Sequence, residues 1–193
     1  MKKIIIGTLL GCSLLSTQAF AASKNVYIGL DILKSTNNTT LSVDGYSGST
    51  GTEGDSSAFK LKVGSVMENG WKTQFYYMQE DYEDAPFDAT NDTLSEVGID
   101  LIKEVELSSV LYPYAQAGIG YGWIDNDGFD DSSMYEMNAK VGVGLMFKVA
   151  PELEILAGVD YQYRKWSDRK IGTATIKTEE QSTRYYLGTN YHF

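Results

Sequence analysis

From Lys24 to the last residue, apolar side chains recur at every second position in eight segments, and no segment of comparable length repeats at helical spacing. A period of two is the signature of β-strands with one apolar and one polar face. The clearest segment is Met134 to Phe147. It sets Tyr135, Met137, Ala139, Val141, Val143, Leu145 and Phe147 against Glu136, Asn138, Lys140, Gly142 and Gly144. The others are Lys24 to Leu33, Ala58 to Met67, Trp71 to Tyr82, Thr93 to Ile102, Tyr112 to Trp123, Leu153 to Arg164 and Ser182 to Phe193.

The connections alternate in length. Glu68-Asn69-Gly70, Val149-Ala150-Pro151-Glu152 and the link from Lys103 to Leu111 are short. Lys34 to Ser57, Glu83 to Asp92, Ile124 to Ser133 and Lys165 to Gln181 read as long polar loops, and Gly45, Gly48, Gly51 and Gly54 make the first of them a flexible surface segment. The sequons Asn37-Asn38-Thr39 and Asn91-Asp92-Thr93 read as ordinary loop residues. Short turns on one side and long loops on the other describe an antiparallel up-and-down meander.

The N-terminus obeys different rules. Met1-Lys2-Lys3 precedes an apolar run from Ile4 to Leu15 and a polar stretch ending Ala19-Phe20-Ala21, the layout of a cleavable signal peptide with its cut between Ala21 and Ala22. A rival reading takes Leu9-Leu10-Gly11-Cys12 as a lipoprotein box, but it leaves too short an apolar run ahead of the cut. Residues 1–21 are thus expected to be removed and residues 22–193 to form one domain. Taking 21 residues from 193 leaves 172, without the only cysteine and without two lysines, so the charge moves from −10 to −12. Thiolate chemistry is excluded from the mature chain, and so, by the acidic balance, is a nucleic-acid partner.

Alternation does not say which face is buried. A soluble barrel turns its apolar face inward and a membrane barrel turns it outward. Glycines crowd the polar face (Gly64, Gly98, Gly118, Gly120, Gly122, Gly142, Gly144, Gly158, Gly188), where a narrow interior needs room. Aromatics such as Trp71, Tyr121, Trp123, Tyr135, Phe147, Tyr163 and Tyr191 lie near the strand ends of the apolar face, as membrane girdles require. Both observations put the polar face inside. The expected fold is an all-β, eight-stranded antiparallel transmembrane barrel, with ten strands only if Thr39 to Tyr46 forms an extra hairpin.

The ending Tyr185-Tyr186-Leu187-Gly188-Thr189-Asn190-Tyr191-His192-Phe193 resembles the C-terminal strand of bacterial outer-membrane proteins. Tyr112-Pro113-Tyr114 followed by Gly118-Ile119-Gly120 is similar to a strand of the OmpA-like and opacity-type barrels. That resemblance implies an outer-membrane location in a Gram-negative cell and periplasmic termini. It also implies that Tyr191 and Phe193 belong to the signal read by the barrel-assembly machinery, with outer-membrane lipid and lipopolysaccharide as surroundings.

On this register the interior holds Lys60, Lys62, Lys72, Lys140, Arg164 and Arg184 beside Glu96, Asp100, Glu136, Glu154 and Asp160. Six cations against five anions read as a salt-bridged plug, or alternatively as the lining of a narrow ion path. No catalytic set emerges: the sole histidine, His192, lies one residue from the end, at the periplasmic side, away from an outer-rim site. Acidic side chains gather in two outer loops, Glu80, Asp81, Glu83, Asp84, Asp88 and Asp92 in one and Asp125, Asp127, Asp130 and Asp131 in the other. The second has oxygen donors at calcium-loop spacing but no closing Glu, and reads as a solvated acidic loop rather than a metal site. No cofactor is expected. The function expected is non-enzymatic, structural or surface-interacting, with a host or cell-surface ligand at the outer loops. A porin-like channel is the alternative, and a lipid-modifying enzyme stands behind it.

Overall fold

The computed structural model describes residues 25–44, 48–83, 92–124, 133–171 and 174–193. The signal peptide with its Ala21–Ala22 cut, and loop residues Asp84, Asp88, Asp125, Asp127, Asp130 and Asp131, lie outside them.

Nine strands form one antiparallel sheet: β1 (Val26–Val43), β2 (Ser49–Val66), β3 (Trp71–Tyr82), β4 (Thr93–Glu104), β5 (Leu111–Ile124), β6 (Met134–Ala150), β7 (Leu153–Trp166), β8 (Arg169–Ile171) and β9 (Ala174–His192). β8 is a three-residue strand folded onto the start of β9. The other eight close a ring, each pairing with the next and β9 pairing with β1. Thr39 to Val43 continue β1, so the ring has eight strands and not ten.

The register fixes the ring's shape. Leu30 pairs with Leu61, then the line runs through Tyr77, Val97, Tyr121, Met137, Lys165 and Glu179 and returns to β1 at Thr40, ten residues beyond its start. Ten residues of stagger over eight strands means a tilt of about 40°. The apolar face points outward: Phe75 is 61% exposed, Ile119 63% and Met137 70%, in a belt too large for a water-facing surface.

Inside, four tyrosines lie directly opposite glycines on the neighbouring strand: Tyr27 faces Gly64, Tyr76 faces Gly98, Tyr114 faces Gly144 and Tyr186 faces Gly158. A Cβ on any of these glycines would run into the tyrosine ring or hydroxyl. The bare backbone is the seat on which each ring lies flat. At the end of the barrel that carries the chain termini, Asn69 (φ 60°) and Gly70 (φ 74°) turn β2 into β3 in the left-handed region that these residue types tolerate.

The structure corrects the reading of two loops. Lys34 to Ser57 is not a long flexible loop: β1 runs on to Val43 and β2 starts at Ser49, with Asn37 paired to Gly54 and Thr40 to Gly51. Likewise β9 begins at Ala174, inside the stretch read as a link from Lys165 to Gln181. The sequon residue Asn37 is buried in the strand, its side-chain amide donating to Ser56 Oγ at 2.8 Å.

Candidate functional site: the charged lumen and its outer rim

Every second residue of a ring strand points into the lumen, so the strands bring together ionisable groups from seven separate segments. Lys60, Lys62, Lys72, Glu96, Asp100, Glu136, Lys140, Glu154, Asp160, Arg164 and Arg184 are all buried there. Four further buried carboxylates join them: Asp31, Glu80, Glu104 and Glu180. Six cations thus face nine carboxyl groups, and the near balance expected from the sequence becomes an excess of three acidic side chains. Glu80 belongs to this interior and not to an outer loop. Its place on the inward face of β3 sets it 0% exposed against Arg164.

The groups form three tiers. At the end that carries the chain termini Lys72 Nζ lies 3.0 Å from both Glu104 and Glu154, and Glu154 also receives Asn190 at 3.0 Å and His192 Nε2 at 2.9 Å. Tyr27 closes this tier, donating to Gln74 at 3.0 Å and packing on the His192 ring.

In the middle, Asp31 holds Lys60 at 3.1 Å and also Lys62, Lys140 meets Asp100 at 2.9 Å, and Arg184 Nε meets Asp160 at 2.7 Å. The Lys140 ammonium sits 3.7 Å above the Tyr76 ring, and Lys60 lies between the rings of Tyr76 and Tyr186. These rings supply negative faces to cations removed from water. A cavity of about 10 Å³ among Asp31, Lys62, Gln74, Gln116 and Tyr114 has room for roughly one water.

In the outer tier a single guanidinium serves several acids. Arg164 reaches Glu180 at 2.7 Å, Glu96 at 3.2 Å, Glu80, and the Tyr82 hydroxyl at 2.7 Å. Glu80 and Glu96 also accept from Ser56 at 2.5 Å and Tyr76 at 2.6 Å. Glu136 accepts from Asn138 at 2.9 Å and has no cation within ion-pair distance among the described residues. Above the tier, Tyr82, Leu94, Ile124, Met134 and Trp166 pack into a buried apolar roof.

Chemically, this interior gathers buried charges of both signs, most of them in ion pairs. His192 touches Glu154 and Tyr27 at the mouth that carries the chain termini, with no nucleophile arranged beside it among the described residues. No group of three or more metal-ligating side chains converges among the described residues. Of the four added acids, Glu104 and Glu180 fall in stretches that read as links, whereas Asp31 and Glu80 lie on the polar faces of the Lys24–Leu33 and Trp71–Tyr82 segments, Glu80 being read with the acidic loop that follows it.

Outside the belt, strands β2, β1 and β9 continue side by side to a tip at Val43 and Ser49. Lys177 on β9 donates to Asp44 at 2.7 Å, and that hydrogen bond and charge push its ammonium pKa above the ordinary value. Lower on the same face Lys34 bonds Glu83 at 3.1 Å.

The family model "Outer membrane protein beta-barrel domain" matches residues 7–193. No curated protein matches the chain in sequence. Among solved structures, the chain resembles Neisserial surface protein A, at 20% identity and a TM-score of 0.57 over 87% of this chain and 97% of that one. OprG from Pseudomonas aeruginosa matches at 14% and 0.57, over 88% and 96%. AlkL, solved in lipid bilayers, matches at 15% and 0.55, over 89% and 91%. At such identities the likeness concerns the fold. With the ring, the outward apolar belt and a family match spanning nearly the whole chain, the protein belongs to the outer-membrane β-barrel domain family.

Proposed function

We propose that this protein is a non-enzymatic outer-membrane barrel whose function lies on its outer surface, and that its lumen is a structural plug. The observation that carries the reading is the filled lumen: fifteen buried ionisable side chains in three bonded tiers, with room for about one water at the centre. An eight-stranded barrel has just enough interior for its own side chains. Function is thereby directed outward. There, β1, β2 and β9 extend about nine residues past Lys34, roughly 30 Å of strand, as a rigid ribbon. Elements of this kind, carried on a stable scaffold, are where a host or cell-surface ligand would be met. Tyr191 and Phe193 close the last strand on the lipid side, where the barrel-assembly machinery would engage them.

The test has two arms. Purified protein in planar bilayers should give no reproducible conductance steps; steps abolished by neutralising Arg164 or Glu136 would favour the channel reading instead. Shortening the β1–β2 ribbon between Asn37 and Gly54 should leave the barrel folded and remove cell-surface binding. Binding that survives this deletion would defeat the outer-surface role assigned to the ribbon.

A further inference from the structure

The stagger of the ring lets outward residues on different strands be compared in height. Ten residues over eight strands shift the level line by about 1.25 residues per strand, and at a tilt of about 40° each residue climbs about 2.5 Å along the barrel axis. Measured from the level of Leu30, the apolar outward face ends within about 10 Å at Ile32 on β1, Phe59 on β2, Tyr77 on β3, Val97 on β4 and Tyr185 on β9. The next outward side chains there are Lys34, Ser57, Gln79, Ser95 and Thr183. On β5 and β6 the same face runs on to Trp123 and Tyr135, about 18 and 21 Å above Leu30. At the end that carries the chain termini the apolar rows are nearly level: Met67, Trp71, Leu111, Leu153 and Phe193 lie within about 5 Å of one another in height. A membrane band about 25 Å tall that starts at that row reaches Tyr121 and stops short of Met137, Trp123 and Tyr135.

An exposed apolar patch beyond the bilayer, rimmed by polar side chains, marks a protein contact. Tyr121 and Tyr135 stack with ring centroids 5.9 Å apart and planes 20° from parallel, and they wall a groove of about 360 Å³ beside the exposed Met137. Lys165 and Asp168 line its polar side, both exposed and neither in an ion pair among the described residues. Asp168 acts on Lys177 only at longer range, and Glu179, opposite Lys165 on β9, is hydrogen-bonded to Tyr163. Glu136 on the groove floor is buried toward the lumen. The outward side of the groove therefore presents one cation and one anion side by side.

An occupant has to stand at this height above the membrane, bring its own apolar surface, and answer a lysine and an aspartate together. A second copy of this chain, related by a twofold axis along the membrane normal, meets all three conditions. Symmetry puts the two patches at equal height, sets Lys165 of each copy against the partner's Asp168, and offers each protruding Met137 to the partner's groove. From these features we infer that the protein pairs with itself through the outward face of β5, β6 and β7. The inference rests on the membrane location, and it requires neither a closed lumen nor a ligand on the ribbon.

The protein is purified from the outer membrane with Cys12→Ser, which removes its only native thiol, and is placed in lipid vesicles. A short bis-maleimide should join Met137→Cys into dimers. Ser57→Cys, exposed on β2 across the ring, should stay monomeric. Native mass spectrometry over a range of protein concentrations then reads the charge pair. Lys165→Glu and Asp168→Lys should each weaken the dimer about tenfold, because the twofold counts every exposed pair twice. Together the two reversals restore opposite charges across the axis and should return the dimer to near native affinity. Heat-modifiable gel mobility confirms that each variant folds; should a reversal fail to fold, the comparison of Met137→Cys with Ser57→Cys decides alone. A monomer at every concentration, equal cross-linking at the two cysteines, cross-links to a different protein, or a dimer indifferent to both reversals would overturn the pairing. None of these outcomes depends on the conductance or ribbon experiments.

Discussion

Arg164 shows how much one side chain in this lumen is asked to do. It is fully buried and bonds Glu80, Glu96, Glu180 and the Tyr82 hydroxyl, so removing it leaves three carboxylates with no guanidinium. Breaking a buried pair from one side typically costs about 3–5 kcal/mol, because the partner's charge stays desolvated. Arg164→Met should therefore lower the unfolding free energy of the refolded barrel, read from a urea titration, by an amount in that range. A change under about 1 kcal/mol would mean that water reaches the outer tier. Glycine seats can be tested the same way. Gly98→Val puts branched carbons where the Tyr76 ring and the Ile119 carbonyl lie, and overpacking of this kind costs about 1–3 kcal/mol. Pairing it with Tyr76→Ala should recover part of the loss in the same urea titration. At this scale the sequence was legible wherever the inward residue sat inside a strongly alternating segment. Lys140 and Glu136 stand out against Val141 and Tyr135. Glu80 does not, because it runs straight into the acidic stretch of Asp81, Glu83 and Asp84 and reads as the start of a loop.

Strand existence followed from hydropathy, but strand length did not. In β1 beyond Lys34 both faces are polar: Thr36, Asn38 and Thr40 alternate with Ser35, Asn37 and Thr39. The period of two persists in the geometry, while the apolar signal that reveals it is gone. What holds this stretch extended is pairing on both sides, to Asp55 through Ser49 on β2 and to Thr183 through Ile176 on β9. Its threonines favour the pleated backbone as well. Backbone amides from Asn37 to Leu41 should accordingly exchange slowly with deuterium in native conditions, in contrast to a loop of the same composition. Exchange as fast as at Gly48 would show that the ribbon does not persist outside the membrane. A proline at Thr39 removes a ladder donor in the middle strand of the ribbon and should raise exchange there without lowering the barrel's own urea midpoint.

The whole molecule combines a stagger of ten residues with an interior that is unevenly charged along its axis. Of the outer-tier groups, four are carboxylates (Glu80, Glu96, Glu136 and Glu180) and only Arg164 is cationic, whereas the middle tier sets Lys60, Lys62, Lys140 and Arg184 against Asp31, Asp100 and Asp160. A ring of fixed charge decides which ions pass only when a path exists. On the plug reading, the roof of Tyr82, Leu94, Ile124, Met134 and Trp166 and the tyrosines on their glycine seats close that path. If this is the reason for silence, opening the plug should yield a channel whose preference follows the excess charge. Replacing Tyr82, Arg164 and Trp166 together by alanine removes the largest roof side chains and the only outer-tier cation. That variant should give conductance steps in planar bilayers with a reversal potential favouring cations, where the native protein gives none. Anion-favouring steps would contradict the charge distribution, and steps from the native protein would contradict the plug itself.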